Sequence, residues 1–139
     1  MIHKVEDGLY KVELATKLSK PNINGMNYNI NSFHRAMDNM MEVHKVLSKT
    51  NQDDAFLSGD MAAYTSVNVS DVLGKVVEVN YDAEEPYIMV ESTDEFMGEY
   101  MTEDYYAGAR LLADMSRNSD MLNITHFICW DLVPVCNWK

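Results

Sequence analysis

Apolar and polar positions alternate along residues 9–18, LYKVELATKL, with Tyr10, Val12 and Leu14 on one side and Lys11 and Glu13 on the other. A side-chain period of two predicts a half-buried strand. The following run, Lys20-Pro21-Asn22-Ile23-Asn24-Gly25, reads as a turn, because Asn24-Gly25 supplies positive φ at little cost. The period then changes. Across 32–48, Phe33, Ala36, Met37, Met40, His44 and Leu47 recur at three and four behind Asn31 or Ser32 as a cap. That spacing predicts an amphipathic helix with a methionine-rich stripe. Such a stripe usually fills core gaps and only occasionally serves as an adaptable binding surface.

Beyond the polar loop KTNQDD at 49–54, short β-like runs lie at 55–58 and 65–69, and Ser70-Asp71-Val72-Leu73-Gly74 predicts a tight bend. Residues 75–81 and 86–91 flank Asp82-Ala83-Glu84-Glu85, the pattern of a hairpin with an acidic tip. Ser92 and Glu95 are spaced as a capping box and open a helical segment. Past Gly98 the helix is expected to continue over 102–116, through Tyr105, Tyr106, Ala109, Leu112, Ala113 and Met115. Arg110, Arg117 and Asn118-Ser119-Asp120 mark its end. Residues 122–130, LNITHFICW, are apolar on both faces and predict a central strand buried twice, with Asp131 to Pro134 leading out of it. This order predicts an α+β fold: a mixed or antiparallel β-sheet with two main helices packed on it, in one domain over 1–139.

Composition supports a real core. The chain has 139 residues, 47% of them hydrophobic, which is enough to fold without staples and argues against disorder. No apolar run approaches the roughly 18 residues of a membrane span. MIHKVEDGLYKVEL carries acids where a signal peptide needs an apolar stretch, so a non-secreted protein is expected. Cys129 and Cys136 are then expected to be reduced, and two cysteines alone make no zinc site.

Charge changes the picture most. The net charge is −11, and residues 76–109 hold ten acids with no Lys or Arg. Such a block repels phosphate and anionic lipid, which argues against direct nucleic-acid or membrane binding. It reads either as a solvated face or as a docking face for a basic partner.

Candidate chemistry is sparse. The six glycines never approach GxGxxG or GxxxxGK spacing. His34 and His44, on one predicted helix, stand ten residues apart, which puts them about 15 Å apart along its axis and out of reach of a shared metal. His34 and Asp38 are one turn apart, the spacing of a surface pair. His126 is expected as a hydrogen-bonded core or edge side chain and Cys129 as an inert buried thiol. The acids of 82–104 lack the ligand alternation and glycine of a calcium loop. No catalytic residue, metal site or cofactor is therefore assigned.

One resemblance bears on function. Asn24-Gly25-Met26-Asn27-Tyr28 before the predicted helix, Ser58-Gly59-Asp60-Met61, Val67-Asn68-Val69-Ser70-Asp71 and Gly74-Lys75-Val76-Val77 follow in order across roughly residues 9–92. The arrangement resembles tailed-phage prohead maturation proteases and their relatives. The histidine of those proteases would fall just after Gly59-Asp60, where this chain has Met61-Ala62-Ala63, and no nucleophile segment follows. Without a histidine base a serine hydroxyl has no route to activation. The resemblance thus implies a proteolytically dead relative, serving as a capsid, decoration or assembly component in the virion or host cytoplasm. Its expected partner is a protein, a capsid or other virion component with a basic patch; association with itself is left open. The residues expected to make contact are Asp82, Glu84 and Glu85 at the hairpin tip, Asp94, Glu95 and Glu99 on the following helix, and Trp138 as a lid or a partner anchor. A competing class is an acidic inhibitor that imitates a phosphate track and binds a host nucleic-acid-binding or defence protein. A third is a small enzyme with His126 as its base.

Overall fold

A computed structural model describes residues 1–22, 24–49, 53–115, 119–136 and 138, without the side chains of 53 and 54. Among the described residues strands dominate, and no helix exceeds nine residues. Strands β1 (Ile2–Glu6) and β2 (Leu9–Glu13) form a hairpin, with Gly8 at φ +82° in its turn. Tyr10, Val12 and Leu14 are buried as the alternation predicts. Glu13, placed by that alternation on the polar face, is buried too and pairs with the amino terminus at 2.9 Å. In the predicted turn Gly25 has φ +78°, while Ile23 lies outside the described residues.

The first helix is shorter than its period suggests. After β3 (Asn27–Tyr28), α1 spans Ile30–Asp38. Its cap is Asn29, whose side chain accepts from the Ser32 N–H, and it ends at Asn39. The stretch predicted to continue it instead makes a 3-10 turn at Glu42–His44 and strand β4 (Val46–Ser48). Leu47 decides this. It fills the interior completely, and as a strand residue it pairs with both β5 and β8. Local helix propensity is worth a few tenths of a kcal/mol per residue, less than burying a leucine.

The segment after β4 is helical rather than β-like: α2 (Asp53–Ser58) and α3 (Met61–Tyr64), then a 3-10 turn at Val69–Asp71. α1 and α2 are the two longest helices. The predicted hairpin is present as β5 (Val72–Asn80) and β6 (Tyr87–Glu91), antiparallel, with a bulge between Val76 and Glu78. Gly74 is required where β6 passes: a Cβ there would lie 2.6 Å from Val90 Cγ1, and closer still to the Glu91 carbonyl.

The second predicted helix is mostly strand. A short helix α4 (Asp94–Met97) is capped by Thr93, not Ser92. The Ser92 hydroxyl donates to the Leu73 carbonyl instead. Residues expected to be helical over 102–116 form β7 (Tyr106–Met115), paired along its length with β8 (Met121–Val133). A central strand as long as β8 leaves a row of backbone groups that need an antiparallel partner, and β7 meets it. Two irregularities in this pairing bend β8. Asp131 to Val133 remain in the strand instead of leading out of it, while Arg117 and Asn118 lie outside the described residues.

The sheet is mixed, since β3 and β4 pair β8 in parallel and the other ladders are antiparallel. The fold is α+β. The sheet also closes on itself. Glu13 and Ala15 donate from one edge of β2, to Met1 and Ala107, while Leu14 donates from the other, to Pro86. Hence β7 takes over the edge of β2 that β1 leaves, bridging Leu14 to Ala107. The circuit runs β2, β6, β5, β4, β8, β7 and returns to the end of β2 through the single bridge between Leu14 and Ala107. Inside lie Tyr10, Val12, Leu47, Ile88, Val90, Phe127 and Trp130, with Phe33 of α1 sealing one side. Between its β3 and β4 neighbours, β8 is satisfied by side chains: Ser32 Oγ accepts the Ile124 N–H, and His44 Nδ1 donates to the Ile128 carbonyl. No helix among the described residues is long and apolar enough to cross a membrane.

Candidate functional site

The hairpin tip is held by its backbone, which leaves its carboxylates outward. The Ala83 N–H donates to Asn80 Oδ1, Lys17 Nζ donates to the Glu84 carbonyl at 2.6 Å, and Pro86 accepts from Leu14. Asp82, Glu84 and Glu85 are exposed. At the far end of β6, Asp94 and Glu95 occupy the first turn of α4, where they suit the helix dipole. Glu99 follows on a 3-10 turn, also exposed. Five residues of β6 separate the two groups by about 17 Å. The structure therefore does not bring the sequence-predicted contact residues together; it divides them between two ends of one strand.

Asp94 differs from the others. It accepts from the buried Tyr10 hydroxyl and from Lys4 at 2.9 Å, and Lys4 also reaches Asp7 at 3.1 Å. The Tyr10 hydrogen bond, then Lys4, hold the Asp94 carboxyl below the usual range. Asp94 thus latches α4 to β1 and β2. Among the described residues it is the only acid of 76–109 in an ion pair; the other nine exposed carboxylates make none. Trp138 is half-buried, and its indole N–H donates to the Leu14 carbonyl at 2.8 Å while Lys17 lies over its ring. The ring is neither fully buried nor freely exposed, and its N–H ties it to the end of β2.

Sequence reading missed the most polar feature of the interior. Arg110 of β7 and Asp131 of β8 are both 4% exposed and form a bidentate pair, Nε to Oδ2 at 2.8 Å and Nη2 to Oδ1 at 2.6 Å. Arg110 Nη1 donates to the carbonyls of Ser66 at 2.9 Å and Tyr64 at 3.4 Å, just after α3. Burial is the largest influence and pulls the guanidinium down, but the Asp131 hydrogen bond and the surrounding negative groups together outweigh it and leave Arg110 raised. Cys129 sits 3.7 Å from Asp131, and burial, then the Asp131 charge, push its thiol up to about 12. It stays protonated at neutral pH, which makes it a poor nucleophile. The period-two row Ala107, Ala109, Leu111, Ala113 was the signal that could have placed Arg110 on a strand face.

The histidines lie apart. His34 and Tyr81 meet edge-on, and the Tyr81 hydroxyl shares a hydrogen bond with His34 Nδ1 at 2.7 Å. Burial, then Asp82 and Asp38, raise Tyr81 and keep it protonated. His44 is on the 3-10 turn, not on the helix of His34. His126 is exposed, beside Thr125 Oγ1 at 3.2 Å, and not in the core. Among the described residues no group of three or more His, Cys, Asp or Glu converges. Comparison with family models, curated proteins and solved structures finds no match.

Proposed function

We propose that this is a non-enzymatic binding protein, a structural or accessory component of a tailed-phage particle that engages a basic patch on a protein partner. The observation that carries this reading is the set of nine exposed carboxylates within 76–109 that make no ion pair among the described residues, several of them gathered at the two ends of β6. Among the described residues no cation pairs with them: Lys4 goes to Asp7 and Asp94, Lys45 and Lys75 to Glu42, and Lys17 to a backbone carbonyl. Complementary potentials of this kind steer encounter and select partners. Their division into two groups suits two contacts on a capsid or assembly surface better than a continuous imitation of a phosphate track. The phage setting, in the virion or host cytoplasm, is part of this proposal and is supported by the resemblance carried by Asn24 to Tyr28, Ser58 to Met61, Val67 to Asp71 and Gly74 to Val77.

Sedimentation of the purified protein with capsids tests this reading. Stoichiometric binding, weakened as salt rises from about 0.05 to 0.5 M, is expected. Absence of the protein from virions and from assembly intermediates would overturn it.

A further inference from the structure

β4 and β5 are antiparallel neighbours whose pairing reaches Ser48 and Val72, and the Lys49 N–H donates to the Asp71 carbonyl at 2.8 Å. Such strands are ordinarily joined by about 2–5 residues. Here the described residues 53–70 lie off the sheet, as α2, α3 and the start of a 3-10 turn, before β5 begins. Within this excursion α2 and α3 pack on each other, with the Phe56 and Tyr64 rings 5.0 Å apart. Phe56 is 53% exposed, Leu57 82% and Met61 40%. No Lys or Arg occurs from 50 through 74, whereas four acids do.

The buried ion pair holds this element in place. Two charges brought into a protein interior gain little net stability from each other. The donor that Asp131 leaves over, Arg110 Nη1, goes to the Ser66 and Tyr64 carbonyls, and the Tyr64 hydroxyl donates to the Leu111 carbonyl at 2.8 Å. Sheet closure does not need the excursion, yet a buried guanidinium and a tyrosine anchor it.

We infer that residues 53–70 are a docking arm for a basic amphipathic segment of a partner protein. Phe56, Leu57 and Met61 receive its apolar side chains, and the absence of cations selects a Lys- or Arg-rimmed partner over an acidic one. Arg110 acts as a positioning residue by fixing the end of α3. The inference rests on the reading of the protein as a binder of basic partners, and names the surface.

The test uses the full chain, isotope-labelled for NMR, with a synthetic Leu/Lys amphipathic helix, a Leu/Glu helix of the same pattern, and polylysine. The Leu/Lys helix should perturb amides of 53–66, and Leu57→Ser with Phe56→Ser should weaken its binding by about tenfold or more, the scale of losing a contact anchor. The Leu/Glu helix should not bind. Perturbation confined to the tip and α4, with the Leu57→Ser variant binding as the parent does, overturns the docking arm and leaves the broader reading standing. Binding of neither basic probe overturns both. Leu57-dependent dimers of the free chain in light scattering overturn the basic partner in favour of a second copy.

Discussion

Two connections between antiparallel neighbours behave oppositely. The link from β5 to β6 is short, and three of its side chains are carboxylates that face water over a backbone tied to Lys17 and Leu14. The link from β4 to β5 is long, and its described part, 53–70, shows large apolar side chains to water and hangs on a buried arginine. The first is a turn that the sheet needs, made polar. The second is an addition that the sheet does not need. A protein that exposes Leu57 at 82% while burying Arg110 at 4% inverts the usual placement at both residues. Both inversions are accounted for if the excursion is built to meet something.

The largest effects should come from the sheet that both connections serve. Trp130→Ala removes a 2%-exposed indole from the centre of the closed core and should cost about 3–5 kcal/mol in urea unfolding. Arg110→Ala should cost a similar amount, about 3–5 kcal/mol, because the buried Asp131 carboxylate loses its bidentate cation. The double change Arg110→Met with Asp131→Leu sharpens the comparison. Global stability should stay close to the parent's, while amide exchange over 53–66 quickens, since the two carbonyls lose their donor. Unchanged exchange there would remove the positioning role of Arg110.

Gly74→Ala should cost less, about 1–3 kcal/mol, by forcing β5 away from β6 next to the base of the excursion. A smaller effect concerns pH. Asp94 is held below its ordinary value of 3.8, so its latch contributes stability above that value and loses it as pH falls through the folded-state value. Asp94→Asn should therefore flatten the fall of the urea midpoint between about pH 5 and pH 2.5. An unaltered slope would mean that the Tyr10–Asp94–Lys4 contact does not form in solution.

How far the sequence could be read depended on which force shaped each segment. Alternation at Tyr10, Val12 and Leu14 and the turn between 75–81 and 86–91 are local signals, and both are realised. The α+β class and the buried 127–132 run of β8 were legible for the same reason. Ala107 to Met115 is built from good helix formers, and only the demand of β8 for a partner makes it a strand. Leu47 likewise joins a strand because β5 and β8 leave a gap on either side of it. The acids were legible as exposed, but their division between two ends of β6 was not, because it depends on the direction of that strand. The Arg110–Asp131 pair joins residues on two strands, and a spacing of 21 positions has no local signature.

Replacing residues 50–70 with Asn-Gly tests the difference between the two connections most directly. A two-residue turn suits the antiparallel pair at Lys49 and Asp71. The shortened chain should unfold in one cooperative transition and keep the amide pattern of β5 to β8, yet no longer bind the Leu/Lys helix. A chain that fails to fold, or one that folds and binds that helix as the parent does, would contradict the assignment of the excursion to docking.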